Sequence, residues 1–272
     1  MPMIEGIFHH YFPSLGLKHG LVLFMLIFTR WTALSIMIPF FGANILPWIV
    51  RLGICGSLSI LSFIVISHNK IDIGVINTAA LCWLFVKEVM IGFLLGFFSS
   101  FIFYVYQIFG EFTDYFRGAG MSKLLVPEMK HFASPLGVLA FQLALVLLIG
   151  LGLHREIIAA LFLSFHHFPP LEMAPALFNK SLFSDSLSIL DMVWSMSLKL
   201  SLPVVAVCLL LDVGFGLLNR IAPTINAYFL SLPAKMIGGL LILFFAIPFL
   251  LEEFLSQYQS ATQIFIKLIP TF

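Results

Sequence analysis

The stretch from 216 to 243, GLLNRIAPTINAYFLSLPAKMIGGLLIL, is apolar enough for a membrane yet carries Arg220, Asn226 and Lys235. Side chains of these types pair with an opposite charge, cap a helix or line an aqueous path, and each use needs shelter from lipid. Similar charge sits in the other apolar stretches: Arg30, Arg51, the adjacent Lys87 and Glu88, Lys199 and Asp212. An ionised side chain at the centre of a spanning helix costs about 2.5–3.5 kcal/mol on insertion scales. A chain that carries this in most of its apolar segments is built to face protein or water there.

The residues that could do catalytic or metal chemistry do not converge on it. His9-His10 and His166-His167 are adjacent pairs, and neighbours on a helix point about 100° apart, unlike the spaced histidines of a zinc helix. They read as interfacial histidines at segment ends. Glu252 and Glu253, also adjacent, read as a helix exit into water. Neither GxSxG nor GxxxxGK[ST] occurs, and Gly214-x-Gly216 lacks the third glycine of a dinucleotide loop. No enzyme, metal or cofactor is expected. Cys55, Cys82 and Cys208 lie in apolar runs without CxxC spacing and read as small hydrophobes. A net charge of +1 supplies no basic field for nucleic acid.

Two arrangements carry more geometry. In GEFTDYFRG, opening at Gly110, Asp114 and Arg117 stand three apart and can pair across one helical turn, with Gly118 ending that turn in a left-handed conformation. Gly92 and Gly96, in GFLLG, form a small-xxx-small pair that lets two helix backbones approach closely.

The elements that must hold these residues are helices. Hydrophobic residues are 61% of 272 and charged residues 10%, with a mean hydropathy of +1.08; a soluble domain is about half apolar and a quarter charged. The class is therefore an all-α, polytopic membrane-type bundle, a single helical domain over 1–272. Apolar segments run over about 19–41, 45–67, 74–110, 132–165, 187–218 and 228–251. The third exceeds one crossing, which takes about 20 residues, so it bends or extends beyond the bilayer. Polar linkers are expected near 111–134 and 166–186, the second extended with at most a short helix. Pro203, Pro223, Pro233 and Pro248 punctuate the last two segments, predicting broken helices that pack on other protein. Lysine and arginine are spread too evenly among the connections to fix an orientation. The first twenty residues lack a basic start and an Ala-x-Ala site, so no cleaved signal peptide is expected.

Taken together, DVGFGLLNRIAPTINAYFLSLPAK, GEFTDYFRGA, and Arg30 and Arg51 flanking IPFFGANILP resemble the type III secretion export-apparatus proteins of flagella and injectisomes. Arg117-Gly118-Ala119, and the SLPAK that follows Asn226, resemble the injectisome T component more than its flagellar counterpart. The resemblance implies a multi-pass protein of the bacterial inner membrane with a fold like fused R-type and S-type subunits. It also implies assembly with the R and S components into an export gate for unfolded secreted proteins in transit, near the U-type switch protein and the V component. Arg30, Arg51, Gly92, Gly96, Gly110, Asp114, Arg117, Gly118, Asp212, Arg220, Pro223, Asn226 and Lys235 are then expected at assembly contacts or on the channel. Where the family resembles APQLN this chain has APTIN, so Thr224 replaces an amide that could bridge two helices. The rival reading is a secondary transporter or channel, since broken helices and buried charge also mark solute paths.

Overall fold

The structure, a computed structural model, describes residues 17–41, 46–67, 77–121, 134–172, 180–224 and 226–268; His9, His10 and 173–179 lie outside them. Its helices are α1 (Leu17–Met37), α2 (Trp48–Ser67), α3 (Thr78–Ser99), α4 (Phe101–Phe116), α5 (Pro135–Gly150), α6 (His154–His167), α7 (Lys180–Ile221) and α8 (Ala227–Leu268), with 3-10 turns at Pro39–Phe41 and Ala119–Met121. The described residues contain no strand, and the all-α architecture expected from composition is found.

Among the described residues five helical stretches are long and apolar enough to cross a membrane: Lys18–Met37, Trp48–Ile66, Thr78–Ser99, Leu187–Ile221 and Ala227–Gln259. Helices solve the bilayer problem because every backbone donor finds an acceptor within its own segment.

The helices sort into two compact units. The first takes in Met1–Ser100, Leu153–Phe183 and Ile264–Phe272, hence α1, α2, α3 and α6. Its centre is Trp31, 2% exposed, whose indole Nε1 donates to Ser62 Oγ at 2.9 Å and whose ring meets Phe162 and Phe165 of α6. A buried indole needs such a partner for its N–H. The second unit takes in Phe101–Gly152 and Ser184–Gln263, hence α4, α5 and most of α7 and α8. There Tyr106 donates to the Leu250 carbonyl at 3.1 Å and packs edge-on against Phe254. Phe112 meets Trp194 in the same edge-to-face geometry, and Ser197 Oγ donates to the Val105 carbonyl.

Several boundaries differ from those expected. The long third segment divides at Ser100, whose hydroxyl donates to the carbonyls of Gly96 and Met37, so the break leaves acceptors satisfied. The fourth segment also divides, at Gly152, which adopts φ 72, a conformation glycine enters without the Cβ penalty. The linker expected from 111 is helical through Phe116, and α7 begins at Lys180, inside the linker expected to hold at most a short helix. Pro203, Pro233 and Pro248 do not end helices: α7 and α8 run 42 residues each, straight through them. Each proline removes one donor from a helix long enough to keep its register on either side. Only at Pro223 does the chain leave the helix, at Ile221, as the restriction on the residue before proline predicts.

Candidate functional site

The buried charged residues described in the first unit gather at one place. Arg30 of α1 is 1% exposed, and Glu88 and Lys87 of α3 are 0% and 2% exposed. The Arg30 guanidinium grips Glu88 with two nitrogens, Nε on Oε2 and Nη2 on Oε1. It also donates to Ser164 Oγ at 3.4 Å and to the Phe168 carbonyl at 2.8 Å, and its Cζ lies 4.2 Å from the centre of the Phe165 ring. Two-pronged pairing of this kind is what the planar guanidinium is shaped for. Lys87 Nζ sits 3.0 Å from Glu88 Oε1 and donates to the carbonyls of Pro169, Pro170 and Glu172. Charge that lipid would penalise is thus met inside the chain. The sequence marked Arg30, Lys87 and Glu88 as anomalous without joining them, because 58 residues separate Arg30 from Glu88.

Gly92 and Gly96 lie one and two turns beyond Glu88, on the same face of α3, where α1 passes. A Cβ added to Gly92 would meet the Arg30 carbonyl at 2.6 Å and Ala33 Cβ at 2.8 Å; one on Gly96 would meet the Leu34 carbonyl and Met37 Cβ, each at 2.8 Å. The rise in number on both helices makes the crossing parallel. The close approach that the glycine spacing predicts is present, between α1 and α3 of this chain.

In the second unit Asp114 is a junction. Arg117 Nη1 pairs with its Oδ1 at 3.1 Å, across one turn as expected, and Gly118 ends α4 with φ 78. Asp114 Oδ2 accepts from Ser134 Oγ at 2.6 Å and from the Leu136 N–H at 2.9 Å. Ser134 in turn caps α5, its Oγ accepting from the Gly137 N–H at 3.0 Å, with Pro135 in the first turn. A carboxylate at a helix N-terminus satisfies orphan donors and opposes the helix dipole. Sequence reasoning missed Ser134 and Gly137, although Ser-Pro opening an apolar run is a readable helix start. The Arg117 stem lies over Gly239 of α8, where an added Cβ would stand 2.6 Å from both Cγ and Cδ, and Arg117 Nε has no partner among the described residues.

The α7–α8 hairpin distributes the residues of the 216–243 stretch in two ways. Lys235 is buried, and its Nζ meets Asp212 Oδ1 of α7 at 2.8 Å; both expected site residues are therefore spent on each other. Arg220, Pro223, Thr224 and Asn226 are exposed at the turn. Arg220 occupies the last turn of α7, where a cation complements the helix C-terminus. Asn226 Oδ1 accepts from the Phe229 N–H at 3.4 Å, a long N-cap bond at the position its spacing predicts. Along its length the hairpin presents Leu210, Ile221, Phe229, Phe244 and Phe245 outward. Only 11% of the apolar stretch of α8 is buried within the chain. Arg51, half-buried in the first turn of α2, has a shielded Nε without a partner among the described residues.

This arrangement positions helices and shields charge. The family model described as bacterial export proteins, family 1, matches residues 21–261. The secretion system apparatus protein SsaT of Salmonella typhimurium is 28% identical over 231 residues, 85% of this chain and 88% of its own. The Yop proteins translocation protein T of Yersinia pestis is 26% identical over 234 residues, 84% of this chain and 87% of its own. The flagellar biosynthetic protein FliR of Bacillus subtilis is 24% identical over 223 residues, 81% and 84% of the two chains.

Proposed function

The chain belongs to the bacterial export proteins, family 1, and we propose that it is a structural subunit of the type III export gate, assembling with the R and S components to form the entry portal for unfolded secreted proteins. It is a multi-pass inner-membrane protein of the export apparatus, with five stretches among its described residues able to span. The injectisome is the system we assign, on Arg117-Gly118-Ala119 and SLPAK, with the U-type switch protein and the V component as further neighbours.

One observation carries the assembly reading: the α7–α8 hairpin leaves Arg220, Pro223 and Asn226 exposed at its turn while its apolar flanks stay uncovered within the chain. A charged tip on an apolar hairpin is costly in lipid and inexpensive against a partner or a narrow aqueous path. Gly110, Gly118 and the Asp114–Arg117 pair hold the helices that carry this hairpin, so their contribution to assembly is through its placement. The single domain over 1–272 and the likeness to fused R-type and S-type subunits belong to the same proposal.

The test is co-purification in a mild detergent followed by labelling. Single cysteines at 220 and 226 should react with a water-soluble maleimide in the lone chain and be suppressed once two smaller helical membrane proteins co-purify with it. A cysteine at 235 should be slow in both states, since Lys235 is covered by α7. Unchanged labelling at 220 and 226, or a stable lone monomer that binds a small solute, would overturn the assembly reading in favour of a transporter.

A further inference from the structure

Arg30 and Lys87 bring two cations to the one buried carboxylate of Glu88. The segment Phe168–Glu172 meets them with backbone carbonyls and with the electrostatic attraction of the Glu172 carboxylate for Lys87. Lys87 Nζ has four oxygens around it at hydrogen-bond distance: the carbonyls of Pro169 and Pro170 at 3.0 Å, that of Glu172 at 2.9 Å, and Glu88 Oε1 at 3.0 Å. Pro169 and Pro170 bring acceptors without N–H groups, so the segment is rich in oxygens its own backbone cannot satisfy. Within the segment the Glu172 N–H donates to the Pro169 carbonyl at 3.3 Å. Arg30 cannot take over the position, because its guanidinium is held by Glu88, Ser164 and Phe168.

Converging backbone carbonyls that replace a hydration shell are how proteins bind monovalent cations. We propose that Phe168–Glu172, closed by Glu88, is a binding site for a single monovalent cation of the ammonium class, which this chain fills with its own Lys87. The tethered ammonium latches the loop that follows α6 onto α3. The site does not depend on the export reading, since it is built from α1, α3 and the α6 loop alone.

Replacing Lys87 by alanine deletes Cγ, Cδ, Cε and Nζ, the atoms of propylammonium, and leaves the cage for that ion. The full chain in its native membranes carries Cys82→Ser, since Cys55 and Cys208 are buried and Cys82 is exposed, and a reporter at Leu171→Cys, a half-buried position inside the loop. Removing the latch should raise maleimide labelling of that reporter by about tenfold, the response of a locally opened segment. In the Lys87→Ala variant propylammonium should return labelling towards the parent rate, and equal concentrations of propan-1-ol or tetramethylammonium should not. Lys87→Met, which fills the space of the lysine stem without its charge, should label fast and ignore propylammonium. If alanine at 87 prevents accumulation, cell-free synthesis into detergent with and without propylammonium replaces the labelling, and the yield of folded Lys87→Ala should rise while that of Lys87→Met does not. Slow labelling of both variants, rescue by propan-1-ol as good as by propylammonium, or equal behaviour of the alanine and methionine chains towards the added cation overturns the site.

Discussion

Gly110 and Gly137 meet backbone to backbone: a Cβ added to Gly110 would stand 2.5 Å from both the Cα and the N of Gly137. That contact brings the end of α4 onto the start of α5, close enough for Asp114 to reach the first donors of α5.

Gly110→Ala should therefore force the two backbones apart, at about 1–3 kcal/mol, the range for overpacking. Gly53→Ala is the counterpart, since a Cβ there meets nothing within 4 Å and alanine is the better helix former by about 0.5–1 kcal/mol. Thermal unfolding of the two variants in detergent should move in opposite directions; movement in the same direction would deny the contact.

Asp114→Ala removes three partners at once, those of Arg117, Ser134 and Leu136. It leaves Arg117 buried without its anion, a change that costs about 3–5 kcal/mol when a buried pair is broken. Ser134→Ala, losing the cap of α5, should cost about 1 kcal/mol. Secretion and complex yield should follow that order, with Glu252→Ala, at an exposed position, near the parent level. Equal yields for Asp114→Ala and Glu252→Ala would reduce the junction to a surface pair.

Arg117 and Gly239 should be coupled. Gly239→Ala clashes with the Arg117 stem, so it should destabilise the parent chain and be tolerated once Arg117 is already alanine. A double-mutant cycle on unfolding midpoints reads this directly, and additivity within about 0.5 kcal/mol would show the two residues to be independent.

Lys235 is covered and Asp212 about half exposed, at 9% and 44% of their side chains. Loss of Asp212 should strand the buried ammonium and do more harm than Lys235→Met, which leaves a carboxylate able to reach water. The exchange Asp212→Lys with Lys235→Asp should recover little, because it puts the carboxylate in the covered position. Recovery to the parent level in a secretion assay would mean that the pair is solvated on both sides.

Gly92→Leu and Gly96→Leu should each separate α1 from α3 and draw Arg30 away from Glu88, since the added atoms fall on the α1 backbone itself. The measurement is the yield of complex on native gels, where full assembly of both variants would contradict the crossing.

Much of this protein was legible in the residues alone. Composition sets the helical, membrane-spanning class, because a chain 61% hydrophobic with long uninterrupted apolar runs satisfies its backbone in lipid within helices, whereas a barrel strand would alternate apolar and polar residues. Local geometry was legible too: the Asp114–Arg117 turn, Gly118 at positive φ, the helix end before Pro223 and the Asn226 cap all depend on residues within a few positions of one another. The glycine pair at 92 and 96 announced a close crossing without naming the helix that would fill it.

What the sequence left open is where the charges go. Arg30 and Glu88, or Asp212 and Lys235, stand too far apart in number for spacing to pair them, and only the packing of α1 on α3 and of α7 on α8 sets which charge meets which. The prolines mislead because each removes a single donor from a helix long enough on either side to continue: Pro203, Pro233 and Pro248 lie inside helices of 42 residues, and Gly152 breaks one with no proline at all. Residue type fixes what a position can tolerate, while burial against a particular neighbour decides which tolerance is used, because the free energy of a charge or a missing donor depends on the atoms that surround it.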